Sequence, residues 1–235
     1  MNDFTRAVED IRIQLRIDEM VLFGHSAPGI LALEYYRQYH AHVLFCIMVA
    51  IAPIWGEFKE TLVSNYFKAN ATLKRRARFE RAQKALSSFA APSFTQRYNA
   101  RAAHFFRNPK DPRWASLWDG IDLDELLVAR YFALIQEYDI RQTSFDGNLK
   151  ILLILGMHDY SNPFFAWTDE ARDTFSKQGI EALIFPESAH YPNLEEPELF
   201  VSIILEYVVR NFPELFYRKL TLPLFGESQF TRSQL

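Results

Sequence analysis

Three short motifs carry the residues best suited to chemistry. Gly24-His25-Ser26-Ala27-Pro28-Gly29 sets a serine hydroxyl among small neighbours, Gly156-Met157-His158-Asp159 ends in a carboxylate, and Ser188-Ala189-His190 ends in an imidazole. A serine hydroxyl becomes a nucleophile when a base takes its proton. An imidazole can do that near neutral pH, and a carboxylate fixes its tautomer and stabilises the cation it becomes. Serine, aspartate, histidine is one of the chain orders in which such triads occur. The predicted chemistry is acyl transfer to water. His190 takes the proton of Ser26, Asp159 steadies the imidazolium, and water releases the acyl group from Ser26. The backbone N–H of Ala27, directly after the serine, is the predicted oxyanion donor. A Gly-x-Ser alone is a common chance pattern, so three motifs in order carry the prediction.

The surrounding elements place the three residues together. Val8, Ile11 and Leu15 recur at helical spacing within residues 4–16, which predicts an amphipathic helix. Met20 to Phe23 is a short apolar run stopped by Gly24, the pattern of a buried parallel strand. Ile30 to Tyr39 reads as helix, and His42 to Ala52, closed by Pro53, as a second strand. From Trp55 to about Tyr138 the texture turns to charged and aromatic helical patterns broken at Pro92, Pro109 and Pro112. Lys150 to Leu155 and Ile180 to Phe185 are further strands, with a helix around Asp169 to Lys177 between them and another from Pro197 to Phe212. This alternation predicts an α/β fold with a parallel sheet and flanking helices, carrying a helical insertion. Ser26, Asp159 and His190 each follow the C-terminal end of a strand, where loops of open α/β sheets converge on one crevice. The predicted division is core over 1–53, helical cap over 54–146, core again over 147–212 and an unassigned tail over 213–235.

Composition bounds the alternatives. A chain of 235 residues, 49% hydrophobic, can bury a sizeable core, and a formal charge of −3 gives no electrostatic reason to expect nucleic acid or an anionic membrane as partner. Cys46 is the sole cysteine, so no disulfide can form within the chain, and no metal site or cofactor is expected. The polar start Met1-Asn2-Asp3-Phe4 does not resemble a secretory signal, and no apolar stretch reaches the roughly 18 residues of a membrane span, so a cytoplasmic location is expected.

Gly24-His25-Ser26, together with Ser188-Ala189-His190-Tyr191-Pro192-Asn193-Leu194-Glu195-Glu196-Pro197, resembles the serine α/β-hydrolase superfamily, most of all its proline iminopeptidase branch, over roughly residues 4–212. Tyr131 to Ile140 is similar to the exit from that branch's helical cap. The resemblance implies a small-molecule or short-peptide substrate and a serine hydrolase, with an aminopeptidase of proline iminopeptidase type and a carboxylesterase as the activities it offers. It also implies an oxyanion-loop motif, His-Gly-Gly-Pro-Gly or similar, and four strands ahead of the nucleophile strand. Met1 to His25 contain neither. The expectations are therefore a truncated chain, or one completing its sheet with a second copy or a partner chain along a hydrophobic edge at Met20 to Phe23, or a non-catalytic relative that binds. Pro28 stands where the elbow usually has glycine and is predicted to bias Ala27 away from helical backbone. Ala189 replaces the usual glycine before the histidine.

Trp55, Phe58, Tyr66, Trp114 and Trp118 are candidates for an apolar pocket wall, with cap core as the blander role for most. The basic run Lys74-Arg75-Arg76-Ala77-Arg78 with Arg81 and Lys84 shares a helical pattern with Leu73, Ala77 and Leu86 and reads as a solvated face. His40, His42 and His104 have no ligand spacing, while His25 and His158 are expected to pack or hydrogen-bond beside the motifs.

Overall fold

The computed structural model describes residues 1–140, 143, 150–167 and 180–215. Contacts divide the chain into two units, Met1–Glu196 and Pro197–Leu235. The first begins with helix α1 (Asn2–Gln14), strand β1 (Met20–His25), helix α2 (Pro28–Gln38) and strand β2 (Val43–Val49). Helices α3 (Glu57–Asn70), α4 (Leu73–Leu86), α5 (Phe94–Ala100), α6 (Ala102–Phe105) and α7 (Glu125–Ile135) follow, then strands β3 (Ile151–Gly156) and β4 (Ile180–Phe185) and the short helix α8 (Pro192–Glu195). Of the second unit, α9 (Pro197–Asn211) and the residues up to Leu215 are described, with Phe200 and Tyr207 buried. The predicted helix around Asp169 to Lys177 and most of the tail lie outside the described residues.

The four strands form one parallel sheet in the order β1-β2-β3-β4, so the predicted α/β class with a parallel sheet is correct. Every residue of β3 is buried, as a continuous apolar run in a parallel sheet requires. Each such Ile or Leu contributes about 1.5–3 kcal/mol by leaving water. Ile30, Leu33 and Tyr35 of α2 join Met48, Leu153 and Leu155 in one core cluster. The second strand is shorter than predicted at both ends: His40–His42 form a 3-10 turn before it, and it stops at Val49, ahead of Ala50, whose φ is +50°. Helix α1 also departs from its pattern: it packs through Met1, Phe4, Thr5 and Val8, leaving Ile11 and Leu15 exposed. Its polar residues help to attach it, since the Tyr35 hydroxyl donates to Glu9 at 2.6 Å and Arg12 pairs with the same carboxylate at 2.7 Å.

β1 lies at one edge of the sheet, and there Val21 and Phe23 are 42% and 51% exposed. The helical insertion leaves the sheet and returns at one neck, where Ile54 bridges Asp139 antiparallel, the Trp55 amide donates to Tyr138 O and the Ile140 amide to Pro53 O. Inside the insertion Trp114 stacks on Phe106 at 4.2 Å. Arg75 belongs to the basic run but is not a purely solvated residue: its guanidinium donates to the carbonyls of Ala103, Phe106 and Arg107, tying α4 to the end of α6.

Candidate active site

Ser26 sits between β1 and α2 with φ at +56°, a left-handed conformation that a non-glycine residue holds only when its surroundings impose it. Two features impose it here. The Ser26 amide donates to Val49 O at 2.8 Å, fastening the turn to the end of β2. Gly24 and Gly29 let strand and helix meet, since a Cβ on Gly24 would lie 2.6 Å from the Gly29 Cα. Ala27 is helical, with φ −52° and ψ −45°, which corrects the expectation that Pro28 would push it out of that region. Pro28 takes the first helical position, where a missing N–H and a fixed φ cost nothing. The Ala27 N–H has no acceptor among the described residues, and Ala27 lines the large cavity described below.

The other two motifs meet across the ends of β3 and β4. A Cβ on Gly156 would overlap the carbonyl of Ala189, so glycine is what lets these loops touch. Asp159 and His190 are 1% and 2% exposed, and His190 Nδ1 lies 2.7 Å from Asp159 Oδ2. Asp159 Oδ1 accepts the amides of Ser161 and Asn162 at 2.7 and 2.9 Å, which aims the carboxylate. An ionised carboxylate only accepts, so Nδ1 carries the proton and Nε2 is left to act as a base. Ser26 and His190 line the same cavity, and no hydrogen bond joins their side chains among the described residues.

The histidine loop is braced from several sides. The Ala189 amide donates to Glu195 Oε2 at 2.7 Å, Ser188 Oγ donates to Glu196, and the His190 amide donates to Phe105 O at 2.9 Å. The Phe105 ring stacks on the imidazole at 5.1 Å. His25 Nε2 lies 2.7 Å from the carbonyl oxygen of His190. Burial, with the neighbouring His190 adding to it, pushes His25 down to about 3, so it is neutral near pH 7 and Nε2 donates. His25 thus hydrogen-bonds beside the motif, as expected, and His158 braces it through its amide on Ser188 O at 2.9 Å.

A cavity of about 700 Å³ opens over Ser26 and His190. Trp55 and Trp118 lie on its wall, as two of the aromatic candidates should, whereas Trp114 is buried in the insertion and Phe58 is exposed. Tyr66 packs on Phe165 and Tyr160 instead. Much of the rest of the wall comes from residues the sequence did not single out, among them Lys59, Phe94, Tyr98, Arg101 and Phe105. Glu195 was readable only as part of the motif after His190. Among the described residues no group of three or more His, Cys, Asp or Glu could hold a metal ion, and no helix is long and apolar enough to cross a membrane.

Residues 2–203 match the model of the Alpha/beta hydrolase family. The chain belongs to that family. It is 30% identical over 200 residues to the AB hydrolase superfamily protein YclE of Bacillus subtilis (strain 168), covering 82% of this chain and 69% of that one. Its fold is similar to the crystal structure of a proline iminopeptidase from Mycobacterium smegmatis, with a TM-score of 0.58 and 15% identity over 88% of this chain and 70% of the other. It is also similar to the esterase EaEST from Exiguobacterium antarcticum, with a TM-score of 0.50 and 16% identity over 87% and 72%. As an α/β-hydrolase the chain has its strand-to-helix turn and its two C-terminal loops at one end of a parallel sheet.

Proposed function

We propose that this α/β-hydrolase is a serine hydrolase that cleaves a small ester or amide through an acyl-enzyme. The observation that carries the reading is Ser26, held at positive φ on the wall of a cavity it shares with His190, whose Nδ1 is bonded to the buried Asp159. His190 Nε2 takes the Ser26 proton as Oγ attacks the carbonyl carbon, and the same nitrogen returns it to the departing alcohol or amine. The unpaired Ala27 N–H lies next to the nucleophile and is the donor for the developing oxyanion. Water, deprotonated by His190, then attacks the acyl-enzyme and frees Ser26.

Steady-state rates on 4-nitrophenyl butyrate and on proline 2-naphthylamide test this reading and separate its two forms. A Ser26-dependent rate on the ester with none on the naphthylamide identifies an esterase, and the reverse identifies an aminopeptidase. Equal rates for wild type and Ser26→Ala on both substrates would remove the serine mechanism.

A further inference from the structure

The cavity wall is largely apolar, yet two cations and two indoles on it have no acceptor among the described residues. Lys59 lies with Nζ 3.5 Å from the centroid of the Trp55 ring, and the Arg101 guanidinium carbon lies 5.2 Å from that of Phe105. Neither side chain makes an ion pair or a hydrogen bond among the described residues. The indole nitrogens of Trp55 and Trp118 are buried without partners as well. The one carboxylate on the wall is that of Glu60, which is exposed. Asp159 is close enough to act on Lys59 electrostatically, but its oxygens are engaged by His190, Ser161 and Asn162. Arg101 and Lys59 face one cavity and repel each other, and neither Glu60 nor Asp159 pairs with them, so an anion entering between them would relieve that cost.

We infer that the cavity recognises a ligand carrying a carboxylate, held by Lys59 and Arg101, with its apolar body against the aromatic wall. That this ligand is an ester or amide rests on the acyl-transfer reading above; the carboxylate does not. A substrate with an ammonium terminus would instead meet two cations. Burial, and next the charge of Arg101, draws Lys59 down to about 7, while Asp159 and Glu60 act the other way, so a bound carboxylate would hold the ammonium charged. Arginine adds a planar fork that can take both oxygens of a carboxylate.

Isothermal titration of the full chain with 4-phenylbutyrate and its neutral counterpart 4-phenylbutanamide at pH 6.5 tests the inference without turnover. The carboxylate is expected to bind at least about tenfold more tightly than the amide, the size of a charge-assisted hydrogen bond. Lys59→Met and Arg101→Met should each shrink that ratio to about threefold or less while the amide's own Kd stays within about twofold, which also reports an intact pocket. Equal binding of the two ligands by the wild type, binding of neither, or a ratio unchanged in both variants would overturn it. Turnover of 4-nitrophenyl octanoate and mono-4-nitrophenyl suberate separates this result from the hydrolase reading. A carboxylate preference in binding without turnover of either ester keeps the subsite and ends the hydrolase. Ser26-dependent turnover of the octanoate with no carboxylate preference does the opposite.

Discussion

At Ser26 a side chain of ordinary type sits on an unusual backbone, and at His190 an ordinary backbone is held in place by its neighbours' side chains. The first was legible in the sequence, because glycines at positions 24 and 29 around a serine after an apolar run imply a tight strand-to-helix turn. The second was legible only in part. The pairing of Asp159 with His190 follows from chain order, but the grip of Glu195 on the Ala189 amide depends on how the chain turns after β4. Burial raises Glu195 above the usual carboxylate range, while the amides of Ala189 and Arg107 that it accepts pull it back. Glu195→Ala leaves the buried Ala189 N–H without its acceptor, so chemical denaturation is expected to show a loss of about 1–3 kcal/mol, with Glu195→Gln losing less because one oxygen remains. Equal stability of Glu195→Ala and wild type would remove this brace from the account. Lys59 and Arg101 could not be found from sequence at all. Lys59 lies in α3 and Arg101 between α5 and α6, and they gain meaning only where both face one cavity.

Among the elements, the strands were the easiest to read. Their apolar runs are short and are ended by Gly24, Pro53 and Gly156. Only pairing could show that β1 continues through Gly24 and His25, which match Met48 and Val49 of β2. The α1 pattern misled at Ile11 and Leu15 because a helix at the border of a unit can bury one end of its apolar stripe and anchor the remainder by polar contacts. Glu9 shows this. The hydrogen-bonded Arg12 guanidinium, and after it the Tyr35 hydroxyl, hold its carboxyl at about 2 against the opposing effect of burial. A folded pKa below the ordinary 4.5 means that the stabilisation is complete above that pH and is lost as pH falls toward 2. Urea denaturation should therefore find wild type more stable than Glu9→Gln at pH 6, with the gap narrowing at pH 3; a gap independent of pH would contradict the assignment. Gly156 belongs to this scale too. Gly156→Ala drives the end of β3 from the Ala189 carbonyl and with it Asp159 from His190. An ester hydrolysis rate at least about tenfold lower is expected, since about 1 Å of misplacement can cost a hundredfold. A Gly156→Ala enzyme of full activity would show that the two loops can separate without loss.

For the whole molecule, the parallel sheet gathers three loops at one end, and the insertion that interrupts it between Ile54 and Asp139 supplies much of the wall above them. The residues that meet at that end were therefore readable from three local motifs, whereas of the pocket wall the sequence offered Trp55 and Trp118 but not Lys59 or Arg101, because aromatic and charged patterns in the insertion look alike whether they face the cavity or its own core. The most direct measurement is intact mass after exposure to a fluorophosphonate, comparing wild type with Ser26→Ala, both shown to be folded by circular dichroism. The probe phosphonylates an activated serine in an accessible pocket. One adduct on the wild type and none on the variant is the expected result. A folded wild-type chain that stays unmodified, or a variant modified to the same extent, would contradict the assignment of Ser26 as an activated nucleophile.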